Sequence, residues 1–149
     1  MSVSDICALP VASLAAPDCA LFLWVTFPFL QDAFRVIEAW GFRYRTTAFC
    51  WVKPTKDGSG WAFGTGFWTR ANAEICLLAV KGKPQRIAKN VPQIISEPRM
   101  EHSRKPDEAR DRIVRLLGDV PRVELFARQA SPGWDVWGNE VESTISLEP

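Results

Sequence analysis

In an α/β sheet, ligands bind beyond the carboxyl ends of the strands, so polar residues just after apolar runs are the first to weigh. Thr26 and Phe27 follow the run Ala20–Val25, and Lys53-Pro54 close the stretch that begins at Tyr44. Arg128, Gln129 and Ala130 follow Arg122–Phe126, with Pro132-Gly133-Trp134 and Gly138-Asn139-Glu140 next. Two glycines, two tryptophans and several hydrogen-bonding side chains in this last stretch suit a cofactor pocket. An ordinary turn, with Trp134 and Trp137 covering the sheet end, has the same composition. His102 stands among Arg99, Arg104 and Lys105. Those cations hold a proton off the imidazole, which favours an orienting or anion-contacting role over general base. Lys81, Lys83, Arg86 and Lys89 come without an acid between them, inside a segment (81–115) of ten basic and five acidic residues. Such a stripe neutralises phosphates and gives salt-dependent affinity for nucleic acid; it is equally the composition of a solvated face. Gly64-Thr65-Gly66 is too short a glycine run to cradle a phosphate. With one histidine, and Cys7, Cys19, Cys50 and Cys76 far apart, no zinc-ligand spacing exists and no metal is expected.

The elements that must position these residues alternate. The apolar run at Ala20–Thr26 reads as a strand covered on both faces. Pro28 suits a first helical turn, Leu30, Ala33, Phe34, Ile37 and Trp40 share one face, and Gly41 ends the helix. Tyr44–Lys53 reads as a second strand, Glu74–Val80 as a third, and Val91–Ser96 as a short edge strand because of Pro92. Between the second and third, four glycines with Pro54 predict a mobile loop over about 54–69. Pro106 opens a second helix whose stripe is Ala109, Ile113, Leu116 and Leu117, ended by Gly118; a fifth strand covers Arg122–Phe126. Strands alternating with helices predict one α/β domain over 1–149 with a largely parallel sheet. The chain's 149 residues, 47% hydrophobic and 23% charged with net charge +1, exclude general disorder and a polycationic molecule. No run is long enough to span a bilayer, and thiols spread through apolar stretches fit a reduced, cytoplasmic protein. Seven tryptophans among 17 aromatics suggest a pocket for a flat ligand as well as a core, although a core alone is the commoner use of such rings.

Nine blocks in order carry a resemblance. They are Leu21-Phe22-Leu23-Trp24-Val25-Thr26, Ala39-Trp40-Gly41-Phe42, Trp51-Val52-Lys53 and Gly64-Thr65-Gly66-Phe67-Trp68-Thr69-Arg70. Glu74 with Leu77-Leu78, Val80-Lys81-Gly82-Lys83-Pro84 and His102-Ser103-Arg104-Lys105-Pro106-Asp107-Glu108 follow. Glu124-Leu125-Phe126-Ala127-Arg128 and Gly133-Trp134-Asp135-Val136-Trp137-Gly138-Asn139 complete the set. Together they resemble the N6-adenine methyltransferase family typified by the catalytic subunit of the eukaryotic mRNA adenosine methyltransferase, and its compact bacterial or phage members most.

The resemblance implies a Rossmann-like sheet with helices on both faces, binding S-adenosyl-L-methionine and transferring its methyl group to the N6 amino group of adenine. Lys105 and Arg128 would contact the cofactor's carboxylate and ribose region, with Gln129, Asn139 and Glu140 around its ribose and adenine. Glu74, Arg99 and Lys105 would lie near the acceptor base, and Trp68 and Arg70 in a loop bordering the substrate cleft. The acceptor would be nucleic acid, with DNA expected before RNA on the resemblance to compact members without extra RNA-binding modules. The family's Asp-Pro-Pro-Trp tetrad, expected before the first apolar run, is not among these residues. The corresponding expectation is an N-terminally truncated methyltransferase sheet, with the tetrad and its strand upstream in frame. An uncovered sheet edge would then be covered by pairing as a homodimer or heterodimer. The alternative is a non-catalytic nucleic-acid-binding relative or partner subunit.

Overall fold

The computed structural model describes residues 1–66, 68–100 and 104–148. Its elements are α1 (Val3–Ala8), β1 (Cys19–Val25), α2 (Leu30–Ala39), β2 (Arg43–Val52), β3 (Ala73–Lys81), β4 (Ile94–Ser96), α3 (Asp107–Leu117), β5 (Val123–Leu125) and β6 (Asp135–Trp137). Four strands form one sheet in the order β1-β3-β2-β4, and β5 and β6 form a separate parallel pair.

Sheet directions follow from the connections. β1 reaches β2 through α2, a crossover that restores strand direction, and the short β4 pairs parallel to β2 over Cys50–Val52. The described residues of the segment 53–72 contain no helix, and β3 returns antiparallel, inserting between β1 and β2. The expectation of a largely parallel sheet therefore needs correction. β1, β2 and β4 share a direction, but β3 opposes them, and two of the three pairings in the sheet are antiparallel. Alternation of strands and helices holds from β1 through α2 to β2 and from β4 through α3 to β5, while β2–β3, β3–β4 and β5–β6 follow one another with no helix between them among the described residues.

The period-two alternation of strand side chains divides the core into two faces. Leu21, Leu23 and Val25 of β1, with Ile75, Leu77 and Ala79 of β3, meet Ala33, Val36, Ile37 and Trp40 on the α2 side. Phe22, Trp24, Phe49, Trp51, Cys76 and Ile95 point the other way and pack with Ala109 and Ile113 of α3. Helices thus cover both faces.

Two elements go beyond the sequence reading. α1 is a short helix closed by a capping box, in which Asp5 N donates to Ser2 Oγ and Ser2 N donates to Asp5 Oδ2, each 3.1 Å. The indole of Trp40 pins it by donating to Ile6 O at 2.9 Å. β6 falls in the stretch read only as a turn or pocket, because three residues are too few to show a period. Its approach to the end of β5 requires glycine: a Cβ at Gly138 would lie 2.6 Å from Ala127 O.

Candidate active site

One end of the four-stranded sheet gathers the chemistry. β1 ends at Val25 and delivers Thr26, β2 ends at Val52 and delivers Lys53, and β3 starts at Ala73 and delivers Glu74. β4 leads into Glu97-Pro98-Arg99, and Lys105-Pro106 precede α3. These segments enclose a cavity of about 780 Å³, lined among others by Thr26, Trp51, Lys53, Glu74, Arg99 and Lys105, with Lys56 and Arg104 adding further charge. A second cavity of about 300 Å³ adjoins it, sharing Thr26, Glu74 and Lys105 and adding Trp24, Val25 and Phe29. Glu74 and Lys105 therefore form part of the wall common to both.

The Glu74 carboxylate is gripped at both oxygens. Lys53 Nζ donates to Oε2 and Lys105 Nζ to Oε1, each at 2.6 Å. The Glu74 and Lys53 side chains are only 12% and 15% exposed, so solvent screens this pair little. Burial pushes the carboxyl upward, but the hydrogen bonds and charges of Lys105 and Lys53 outweigh it and hold Glu74 below its ordinary range. Two indoles lie beside the lysines. Lys53 Nζ sits 4.5 Å from the Trp51 ring centroid and Lys105 Nζ 5.7 Å from that of Trp24. The two rings meet edge to face at 6.2 Å, and Trp51 Nε1 is fixed by donating to Glu97 O at 2.7 Å. The resulting group is one ionised carboxylate between two ammoniums on an aromatic base.

The structure brings Glu74, Arg99 and Lys105 together around the larger cavity. Trp68 is fully exposed, Arg70 lies over the Phe63 ring at 4.5 Å, and neither lines either cavity. Arg128, Gln129, Asn139 and Glu140 lie around the β5–β6 pair, all exposed, with Arg128 Nε donating to Glu140 Oε2 at 2.7 Å; they line neither cavity. Just ahead of Arg128, Phe126 takes φ +57°, uncommon for a bulky residue, and packs edge to face on Trp137. His102 lies outside the described residues. Gly64-Thr65-Gly66 serves the backbone: Gly64 N donates to Ala71 O, and a Cβ at Gly66 (φ +67°) would run into Thr69 O. Among the described residues no group of three His, Cys, Asp or Glu could hold a metal ion, and no helix is long and apolar enough to cross a membrane.

The model of the family described as MT-A70 matches residues 1–140. This chain belongs to the MT-A70 family. Type II methyltransferase M.MunI from a Mycoplasma species is 36% identical over 143 residues, 95% of this chain and 58% of that protein. The N(6)-adenosine-methyltransferase catalytic subunit METTL3 of Homo sapiens is 34% identical over 137 residues, 89% of this chain and 23% of that protein. An MT-A70-like N(6)-adenosine-methyltransferase of Arabidopsis thaliana is 34% identical over 146 residues, 95% of this chain and 21% of that protein. The chain thus spans about three-fifths of the Mycoplasma relative and under a quarter of the other two. As an MT-A70 member it is related to adenine-N6 methyltransferases, enzymes that use S-adenosylmethionine as a class.

Sequence reasoning named Glu74, Arg99 and Lys105 as acceptor-side candidates, which line the larger cavity, and weighed Lys53 as a strand-end residue without giving it a role; the two indoles were not singled out. The signal for Lys53 was available: it is the polar residue that ends a strand on the ligand side of the sheet. Trp24 and Trp51 gave no separate signal, since each reads as core within its apolar run.

Proposed function

We propose that this domain binds S-adenosylmethionine and uses it to methylate the N6 amino group of adenine in nucleic acid, with DNA as the acceptor. What supports this reading above all is that Glu74 and Lys105, which lie in two separate family blocks, meet at 2.6 Å in the wall between two adjoining cavities. The larger cavity has the size of a small-molecule site, with Trp51 in its wall, and the adjoining one adds Trp24 and Phe29, so aromatic surface is at hand for an adenine turned out of its stack. The choice of DNA rests on the Mycoplasma relative, a Type II methyltransferase and the relative this chain spans most fully of the three compared.

The donors and acceptors of Lys105, Arg128, Gln129, Asn139 and Glu140 suit the cofactor's polar groups, with Lys105 on the cavity wall and the others around the β5–β6 pair. Lys105 has three donors and spends one on Glu74, leaving two for the cofactor's carboxylate. Arg128 can share that task with the ribose region, and Gln129, Asn139 and Glu140 supply donors and acceptors for hydroxyls and an adenine edge. The close backbone approach at Gly138 holds this polar stretch on the end of the β5–β6 pair. The cofactor supplies an electrophilic methyl group on a sulfonium. Glu74 then acts on the acceptor. Its carboxylate has lone pairs beyond those used by the two lysines, accepts from the adenine amino group, and opposes the positive charge that develops on the nitrogen as it is methylated. Lys56, Arg99 and Arg104 pair with backbone phosphates beside the extruded base. The tetrad aspartate of the family would sit on a strand paired to the outer edge of β1, which is an edge of the sheet among the described residues.

Incubating the full-length protein with isotopically labelled S-adenosylmethionine and adenine-containing DNA or RNA, followed by nucleoside mass analysis, tests the reading. N6-methyladenine in DNA is the expected product. Label confined to RNA overturns the choice of acceptor. Cofactor and nucleic-acid binding without transfer would instead assign the protein as a non-catalytic relative.

A further inference from the structure

We infer that Lys53 is a positioning residue for Glu74: it anchors one carboxylate oxygen so that the carboxylate stays aimed at the acceptor cavity while Lys105 engages the other. The inference rests on the proposed methyl transfer for its purpose, but its geometry stands apart from it.

Lys53 and Lys105 are not equivalent. Lys105 lines both cavities, whereas Lys53 lines only the larger one. Lys53 leaves the end of β2 in the same step that makes Trp51 a buried strand residue, so its stem is fixed by the sheet and its head by the indole at 4.5 Å. Glu74 is on the neighbouring strand, in register with Trp51. A lysine two residues beyond that partner is held at 2.6 Å from Oε2 by two adjacent strands instead of by a mobile loop. Lys105, by contrast, precedes α3, and its side chain is 30% exposed, twice the exposure of Lys53.

Removing the Lys53 charge has a defined consequence. Glu74 would keep a single ammonium, and both its oxygens could turn toward Lys105 as a simple pair. Lys105 would lose donors proposed for the cofactor carboxylate, and the acceptor amine would lose its anionic neighbour. The other charges around Glu74 are Lys56, Arg99 and Arg104 on the cavity lining, and none has a described hydrogen bond to it. Without Lys53, Lys105 alone opposes the effect of burial, so the carboxyl shifts upward from its wild-type position.

The experiment compares Lys53→Gln, which keeps a hydrogen-bond donor without the charge, with Lys53→Arg, which keeps the charge. For Lys53→Gln, kcat should fall by about tenfold to a hundredfold, the usual cost of a displaced supporting group. The acid limb of its kcat–pH profile should move to higher pH, and the cofactor Kd should change less than kcat does. Lys53→Arg should return the acid limb to the wild-type position. In parallel, the carboxyl resonance of Glu74 in 13C-glutamate-labelled protein, assigned through Glu74→Gln, should titrate at higher pH in Lys53→Gln than in wild type. An unmoved Glu74 titration in Lys53→Gln overturns the inference, as does an equal rate loss in both variants with an unmoved acid limb. If the wild-type protein transfers no methyl group, the methyltransferase reading fails and the carboxyl titration still decides the role of Lys53.

Discussion

The two ends of the four-stranded sheet carry cations of different kinds. At one end Lys53 and Lys105 are ordered around a largely buried carboxylate, with indoles beside them. At the other lies the stripe Lys81, Lys83, Arg86 and Lys89, reached where β3 ends and the chain turns back toward β4. Glu74 and Lys81 both belong to β3, seven residues apart, which at roughly 3.3 Å per residue separates them by about 23 Å. Lys81 is paired with Cys19 at the start of β1, and the turn after it is tied down by Lys83 N donating to Asp18 Oδ1 at 2.9 Å. Ile87, between Arg86 and Lys89, hydrogen-bonds Leu116 O near the end of α3, far from where that helix begins beside Lys105. The stripe therefore does not border the cavity. Clustering in sequence marks charge that stays at the surface, whereas the cations at the cavity come from distant parts of the chain and are drawn together by strand ends.

The comparison is broken most strongly at Glu74. Its removal leaves Lys53 and Lys105 close together without their shared counter-ion, and taking one partner from a buried ionic group costs about 3 kcal/mol. Glu74→Ala should lower the unfolding free energy by that amount, read as a fall in the denaturant midpoint, and abolish methyl transfer. Replacing all four stripe residues by Ala should leave the midpoint nearly unchanged, since exposed charges contribute little. Comparable destabilisation from both changes would mean that the two ends are not distinct.

The next effect is on cofactor affinity. Arg128→Ala removes a charge-assisted donor from the β5–β6 side and should weaken S-adenosylmethionine binding by about 1 to 3 kcal/mol, read by calorimetry. The same measurement on a stripe variant should show wild-type affinity. Arg128 already pairs with Glu140, so Glu140→Gln is the informative companion. If Arg128 acts only to hold Glu140, both variants lose the same affinity.

How far the sequence carried this comparison depended on the kind of signal. Strand positions and the two covered faces were readable from apolar runs, and helix ends from Gly41, Pro106 and Gly118. The reversal of β3 was not, because direction depends on what fills 53–72, and a helix-free loop of that length can return a strand either way. Glu74 and Lys105 were readable as family blocks, yet their contact was not, since 31 residues and a strand crossover separate them. Lys53 was visible as a strand-end cation but gained its role only from β2 and β3 being neighbours. The same dependence explains why the stripe drew attention: a local charge run is visible without knowing any fold.

Acid stability gives a smaller and more graded contrast. Glu74 is held below its ordinary value of 4.5 by its two lysines, which outweigh burial. A carboxyl whose folded value is depressed stabilises the protein fully above its unfolded value and loses that contribution as pH falls through the folded one. Unfolding free energy should thus decline below about pH 4.5 in wild type, and Glu74→Gln should flatten that part of the profile. A stripe variant keeps Glu74 and its lysines, so its profile should retain the wild-type slope. An unchanged slope in Glu74→Gln would assign the acid sensitivity to other carboxylates.

The smallest expected effect concerns salt. Each phosphate neutralised by one cation contributes about 0.9 to the slope of log affinity against log salt concentration. Arg86→Ala should reduce that slope for DNA by about one unit while leaving kcat and cofactor affinity as in wild type. Arg99→Ala, on the cavity lining, should reduce the slope by a similar amount and also lower kcat, because a phosphate held beside the cavity helps fix the extruded base. The measurement is a salt titration of binding for each variant, paired with single-turnover methylation at one salt concentration. Loss of kcat in Arg86→Ala equal to that in Arg99→Ala would bring the nucleic acid across both ends of the sheet at once. An unchanged salt slope in Arg86→Ala would make the stripe a solvated face, with the phosphate contacts confined to Lys56, Arg99 and Arg104.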